Sequence, residues 1–413
     1  MPTSHAILAP SGSSRWMRCT PSARLEALEP EKDTAYTREG TIAHAMAESL
    51  LLTALEQNWD KWREDYVDKF RVAYDAATDG KGGRIAGAQS EALRLRIQEA
   101  KDLGLDPWEM LAIVSEHYAR LVWEDYLDAL YRDPKAVLLV EAQLKLSEYI
   151  PEGFGSSDAV IIYGRTLTVY DLKFGKGVKV SAVGNTQMRC YALGALLGPA
   201  ELYDISEVSM VIIQPRLQWV SNDALTSGAL LDWAEDELKP AAVLAWEGKG
   251  PFSVGDHCRF CKVAPRCKAL LKWSAALPEQ KEDLMTDDEL AEALRRVGAI
   301  KSWAASLEAY ALERALNGNP VPGFKVVEGR SVRQIPDQGA AITALAKAGL
   351  SEDSYLRPRE LKTISDLEKL LTKKGFNAIL GQYVVKPQGK PTLVEDSDPR
   401  PAMNSVEDEF GDC

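Results

Sequence analysis

The 413-residue chain has no apolar run near the ~20 residues that a helix needs to cross a bilayer, which excludes a helical membrane protein. Its first residues, MPTSHAILAPSGSSRW, lack a basic stretch leading into an apolar one, so no secretory signal is expected and the cytoplasm is the expected compartment. No G-x4-G-K-[ST] motif and no internal repeat occur, so no helicase motor is fused to the chain. Basic residues are outnumbered: 49 Lys and Arg stand against 61 Asp and Glu, a net charge of −12. That balance argues at first sight against a polyanionic partner. The distribution reverses the argument. His257 to Pro278 holds five basic residues and no acidic one, and Arg165 to Arg189 holds five against the single acid Asp171. Local basic strips matter more for phosphate binding than the total does.

What is present divides the chain by periodicity. Residues 1–135 read as helical, with apolar residues at helical spacing from Ile42 to Leu55, at Trp59-Trp62-Tyr66-Phe70-Tyr74, and over 86–103 and 107–131. The aromatic series fits a buried helix face better than a base-stacking surface. From Ala136 the runs VLLVEAQLKL, DAVIIYG, TLTVYDLKFG and VSMVIIQPRL are short, β-branched and bounded by Gly, Pro or Ser, which is the strand signature. Helices are expected at 184–197 and 223–246, giving over 136–280 an α/β core with a mixed sheet flanked by helices. A helix over 287–316 ends at Asn317-Gly318-Asn319-Pro320. A small basic α+β region completes 281–390, with strands at GFKVVEG and QYVVK and helices near 337–348 and 358–374. Residues 391–413 are acidic and aperiodic, and are expected to be disordered.

The chemistry concentrates in GFGSSDAVIIYGRTLTVYDLKFG. Asp158 and Asp171 begin and end a predicted hairpin, and Lys173 follows Asp171 at i+2, on the same face of a strand. Two converging carboxylates repel unless a cation sits between them, and such hard oxygen ligands suit Mg²⁺ or Mn²⁺. Alone, D-x-K is weak and equally describes an exposed hairpin. Its accompaniments sharpen it. A helix opening at Gly184 presents Gln187 and Tyr191 at i and i+4, and YTREGTIAHAMAE places His44 and Glu48 on one face of the first long helix. The order G-x3-H, G-x2-D, D-x-K, Q-x3-Y resembles the RecB-like branch of the PD-(D/E)XK nucleases. That branch includes the nuclease domains of helicase–nucleases and CRISPR-associated iron–sulfur exonucleases. The resemblance implies a restriction-endonuclease-like core with His44, Asp158, Asp171 and the carbonyl of Leu172 as metal ligands. It makes Lys173 the catalytic lysine and has Gln187 and Tyr191 position the DNA backbone. Glu141 matches a frequent acidic position of the family, as a possible ligand or a supporting residue.

The cysteines are an independent line. Cys258, Cys261 and Cys267 form C-x2-C-x5-C, and Cys19 stands 239 residues before the first of them. In a cytoplasmic protein, clustered cysteines argue for metal over disulfides, and four thiolates can hold a [4Fe–4S] cluster or Zn²⁺. One distant cysteine plus three resembles the iron–sulfur staple of those same nucleases, which favours the cluster. Its expected role is structural, since it closes a very long loop. Cys190 reads as a small buried residue and Cys413 as a tail thiol.

The motifs cover residues 11 to about 275, and the segment beyond is more loosely similar to phage-encoded proteins that extend this core. The expectation is a Mg/Mn-dependent DNA exonuclease acting on DNA ends in phage recombination, replication or repair, in the host cytoplasm. DNA would lie along Lys176, Lys179, Arg189, Arg259, Lys262, Arg266 and Lys268. Two alternatives stay open: a catalytically silent relative that binds DNA or a partner, and a zinc-stapled adaptor. The acidic tail with Phe410 reads as a solvated end, a self-inhibitory strand, or a hook for a single-strand-binding or annealing protein.

Overall fold

Capping and turn chemistry set where each helix of the N-terminal layer begins. In the computed structural model, which describes residues 6–30, 34–78, 88–275, 287–329, 333–357, 360–385, 387, 391–395, 400 and 402, two short helices come first, α1 (Ser13–Trp16) and α2 (Ser22–Glu26). Thr34 then opens α3 (Ala35–Glu56) with a reciprocal cap to Thr37. Three helices follow: α4 (Tyr66–Thr78), α5 (Ala88–Asp102) and α6 (Pro107–Val114). Asp106 caps α6 by accepting from the backbone N–H groups of Trp108 and Glu109, with Pro107 at the first helical position. A π-helical turn, Ser115–Ala119, leads into α7 (Arg120–Arg132).

The β-branched runs form one five-stranded mixed sheet: β1 (Val137–Lys145), β2 (Phe154–Tyr163), β3 (Thr166–Leu172), β4 (Glu207–Gln214) and β5 (Trp219–Thr226), in that order. β3 and β4 pair parallel and the other neighbours antiparallel. The parallel step needs a crossover, supplied by α8 (Thr186–Leu197), which Asn185 caps by accepting from the N–H groups of Gln187 and Met188. Alternate residues of β2 and β3 enter two cores. Ala159, Ile161, Tyr170 and Leu172 pack with the N-terminal helices, and Val160, Ile162, Leu167 and Val169 pack with α8. The sheet is thus buried on both faces and lies between two helical layers.

Two expectations are corrected in this region. The segment after Gln214 returns as β5, so the helix expected from Asp223 starts instead at Ser227, as α9 (Ser227–Trp233) capped by Thr226. A π-helical turn joins it to α10 (Lys239–Glu247). Along β5 exposure alternates residue by residue, as on an edge strand with one wet face. The polar sequence WVSNDALT hides that strand from a search for apolar runs. Trp59 and Trp62 precede α4 rather than belonging to it. With Phe70 and Tyr74 they are buried against one another and Trp108, so this aromatic series is core.

The chain divides into two compact units, Met1–Lys281 and Glu282–Cys413. The first ends with α11 (Lys268–Ala275). The second begins with α12 (Asp287–Leu316) and holds β6 (Phe324–Glu328), α13 (Gln338–Lys347), α14 (Glu352–Tyr355), the short pair β7 (Leu356–Arg357) and β8 (Glu360–Leu361), and α15 (Ile364–Leu380), broken at Thr372. Leu345, Tyr355, Leu367, Phe376 and Leu380 form its small core. The acidic end departs from its expected disorder, because Pro391–Glu395 is strand β9, paired antiparallel with β6. The strand expected at QYVVK reduces to one bridge between Val385 and Gln334. Phe410 and Cys413 lie outside the described residues. Among the described residues no helix is long and apolar enough to cross a membrane.

Candidate metal centre and cysteine pocket

Asp158 and Asp171 reach the same end of the sheet because β2 and β3 are antiparallel, with Ala159 opposite Tyr170. Asp171 is buried, its side chain 4% exposed, and Asp158 is 15% exposed. Asp158 is held from two sides: His44 of α3 places Nδ1 2.9 Å from Oδ1, and the Leu172 backbone N–H donates to Oδ2 at 2.6 Å. Asp171 Oδ1 accepts from Gln187 Nε2 at 3.0 Å and from Lys173 Nζ at 3.3 Å, and the Lys173 ammonium also donates to Gln187 Oε1 at 3.1 Å. Gln187 Nε2 further donates to the Tyr191 hydroxyl at 3.0 Å. Asp171 Oδ2 lies 3.0 Å from the Lys173 ammonium as an ion pair, yet it is buried without a hydrogen bond of good geometry. Buried polar atoms left this way call for an explanation, and an unfilled ligand position is one.

His44, Glu141 and Asp158 each offer a ligand atom, and these lie within 4.8 Å of one another; among the described residues this is the group of three or more with that geometry. Glu141 sits in β1 between Val140, paired with Ala159, and Ala142, paired with Ser157. Its backbone takes a left-handed φ of 49°, which a non-glycine residue rarely adopts in a strand. The sequence left Glu141 open as a possible ligand or a supporting residue. Here it converges with His44 and Asp158, while Asp171 is engaged by Lys173 and Gln187. Glu48, one turn along α3 from His44, adds its charge to the repulsion felt by Glu141.

The electrostatics are those of crowded carboxylates. Burial, and then the Asp158 charge, push the Glu141 carboxyl up to about 7. Burial also raises Asp171, partly opposed by Lys173. Burial acts to lower the His44 imidazole, but the Asp158 carboxylate, its hydrogen bond and Asp171 outweigh it and raise the group to about 9. The raised group favours the imidazolium, which pairs with Asp158. Below the cluster, in the π-helical turn, Tyr118 is fully buried with its hydroxyl unpartnered; burial and the charges of Asp158, Asp171 and Glu141 raise it well above its ordinary range. No sequence motif signalled Tyr118. Gly155, of the G-x2-D motif, sits close against its neighbours: a Cβ there would lie 3.1 Å from Pro10, which would have to shift by a few tenths of an ångström, and 3.5 Å from Tyr191.

Cys19, Cys258, Cys261 and Cys267 line one pocket, together with Arg15, His257 and Phe252. Their sulfurs are spread: among the described residues no three lie within 4.8 Å of one another. A single Zn²⁺ with sulfurs at about 2.3 Å would draw them to within about 3.8 Å of each other. Burial pushes the Cys261 thiol up to about 12 and raises Cys258. The walls are tied by bonds independent of the thiols. Buried Glu26 accepts from Arg15 Nε at 2.5 Å and from the Lys262 backbone N–H at 2.7 Å, and the Thr20 hydroxyl donates to the Lys249 carbonyl at 2.6 Å. Arg24 stacks on Trp246, 4.1 Å from the ring centre. Cys190 is fully buried among apolar neighbours, and burial pushes its thiol up to about 12.

The basic strips are brought only partly to one place. Lys176 is exposed on the loop after β3, and Lys179 lies 4.1 Å over the Trp219 ring. That loop is braced by Gln214, whose side chain bonds the backbone of Val178 and Val180. Arg189 turns away, lying over Trp233 with its Nε buried and unpartnered, so it is corrected from a surface contact to a packed residue. Arg266 stays exposed and is ion-paired with Glu29. Arg259 and Lys268 are exposed.

The fold and site define a mixed α/β protein with a histidine–carboxylate centre at the end of its sheet and a four-cysteine pocket that joins its N-terminus to residues 246–267. The chain belongs to the family described as "Protein of unknown function (DUF2800)", whose model matches residues 5–401. The crystal structure of SSO0001 is similar at 14% identity over 43% of this chain and 80% of that one, with a TM-score of 0.21, a likeness too loose to carry an argument.

Proposed function

We propose that this protein is a metal-dependent DNA nuclease with a RecB-like PD-(D/E)XK core, which trims DNA ends in recombination, replication or repair. The observation that carries the reading is the meeting of His44, Glu141 and Asp158 within 4.8 Å, beside a buried Asp171 held by Lys173 and Gln187. Buried carboxylates so close are costly unless a cation joins them. Mg²⁺ or Mn²⁺ held there would supply Lewis acidity to the phosphate and make an attacking water more acidic. His44 and Asp158 would be its protein ligands, with Glu141, Asp171 and the Leu172 carbonyl completing the set. Lys173 would stabilise charge developing on the phosphate. Gln187 fixes the Lys173 and Asp171 side chains, and Tyr191 fixes Gln187. The strand would cross Lys176, Lys179, Arg259 and Lys268.

A [4Fe–4S] cluster would sit in the cysteine pocket, which Cys19, Cys258, Cys261 and Cys267 line together; four thiolates suit such a cluster, and one distant cysteine plus three is the pattern that favours it over zinc. Its role would be to lock together walls that Glu26 and Thr20 already join.

The test is an anaerobic assay on end-labelled single- and double-stranded DNA with Mn²⁺. Cleavage by the wild type and none by Asp171→Ala or Lys173→Ala is the expected result. A chain that binds DNA without cutting it would be a silent relative, and wild-type cleavage by either variant would end the assignment.

A further inference from the structure

The reading above leaves a second polar cavity unused. Glu39, Asp106, Glu109, Phe174 and Arg216 line it, and Arg216 is the single cation among its lining residues. Two of these residues belong to segments that also carry the metal centre: Glu39 stands five residues before His44 on α3, and Phe174 directly follows Lys173. Arg216 lies in the turn after β4, against the Phe174 ring, 4.8 Å from its centre. One of its nitrogens, Nη1, donates to Glu39 at 2.6 Å, and both side chains are largely buried, at 14% and 16% exposure. Nε is buried with no hydrogen-bond partner. A guanidinium offers five donors, and leaving them unmet in a buried place is costly. An arginine held against an aromatic ring and tied at one corner keeps donors free for an oxyanion.

Beside Glu39, Gly40 leaves the helix surface bare: a Cβ there would meet nothing within 4 Å. A mid-helix glycine costs about 1 kcal/mol relative to alanine. The bare surface lies on the helix between the cavity wall and His44, where a bound strand would need close approach.

We propose that this cavity is a single-phosphate subsite for the substrate strand, with Arg216 as the phosphate ligand and Glu39 as the counter-ion that holds the guanidinium until phosphate displaces it. The inference rests on the nuclease reading for the identity of that strand. Asp106 and Glu109 set its limit. Asp106 Oδ1 is engaged by the N-terminus of α6 and Glu109 is exposed, so together with Glu39 three carboxylates surround one cation. One phosphate can bind there only by taking the Arg216 donors that Glu39 now holds, and a second would find no cation among the lining residues. The ligand is therefore one phosphate, from a strand end or from an internal phosphodiester whose neighbours lie outside.

Binding of the full-length protein in Ca²⁺, across a salt series, separates these cases. The probes are labelled single- and double-stranded oligonucleotides with 5′-phosphate, 3′-phosphate or only hydroxyl ends. Arg216→Gln should weaken binding about tenfold and reduce the salt slope by about one ion, and Arg216→Lys should recover part of both. Glu39→Gln should tighten binding several-fold, because it removes the competing carboxylate. An Arg216→Gln loss confined to one phosphorylated end assigns the subsite to that terminus, and an equal loss on all probes assigns it to an internal phosphodiester. Thermal denaturation of each variant accompanies the series, and an unfolded Arg216→Gln leaves Arg216→Lys and Glu39→Gln to decide. Unchanged binding and slope in the Arg216 variants, or weakened binding in Glu39→Gln, would reduce the pair to a structural salt bridge. A wild type that binds no probe overturns this inference and the nuclease reading together, whereas one that binds and responds to Arg216 but does not cut overturns only the latter.

Discussion

The carboxylate centre and the cysteine pocket both join the N-terminal helices to distant parts of the chain, but by opposite physics. At the centre, the half-buried Glu141 and Asp158 and the buried Asp171 crowd their carboxylates together, held by a few hydrogen bonds and partly balanced by His44 and Lys173. A strained Glu141 backbone adds to the cost. Around the thiols of the pocket, paired groups make the join, Glu26 with the Lys262 N–H and Thr20 with the Lys249 carbonyl. One site stores unfavourable charge that a ligand would relieve. The other is a completed junction that a ligand would reinforce.

That contrast breaks most sharply at Asp171. Asp171→Ala or Lys173→Ala should reduce cleavage more than about a hundredfold, with iron content and melting temperature near wild type. Loss of both activity and iron would show that the two sites are not independent. Cys19→Ser or Cys261→Ser should next remove the cluster from a preparation that otherwise carries about four iron and four sulfide per chain. A colourless, fully active protein with stoichiometric zinc would overturn that half of the comparison. Glu26→Ala should cost about 2 kcal/mol of stability, because it strips partners from Arg15 and the Lys262 N–H at once. Urea unfolding of protein without iron would check it, and an unchanged midpoint would mean that the thiol pocket is not joined in the way described.

A smaller effect concerns pH. Glu141 is raised in the folded protein to about 7, above its ordinary carboxylate value, so the folded state holds a proton that the unfolded chain has released. Stability in EDTA should therefore fall as pH rises from about 4.5 to 7, and Glu141→Gln should flatten that decline. A decline that survives Glu141→Gln would place the stored charge elsewhere. Smallest of all, charge reversal at Lys176 should weaken DNA binding several-fold in low salt, whereas reversal at Arg189 or Arg266 should perturb packing or the Glu29 pair with no comparable change in salt slope.

Much of this site could be read from the chain, because strand alternation and helical spacing are local rules. Asp171 and Lys173 share a strand face by their two-residue spacing, Gln187 and Tyr191 share a helix face by four, and the five-stranded core was visible in four of its apolar runs. The fifth, β5, was hidden because an edge strand with a wet face needs no apolar run. Pairing of Pro391–Glu395 with β6 was hidden because its partner lies more than sixty residues away. The convergence of Glu141 on His44 and Asp158 depends on a left-handed residue within a strand pair, and no composition records that. The same holds for Glu39 meeting Arg216, for Glu26 reaching Lys262, and for Arg189 turning onto Trp233. Sequence set which groups could act and which faces they shared. Tertiary structure decided which of them met, because contacts between residues 44 to 236 positions apart are chosen by packing and charge pairing across the whole core rather than by local propensity.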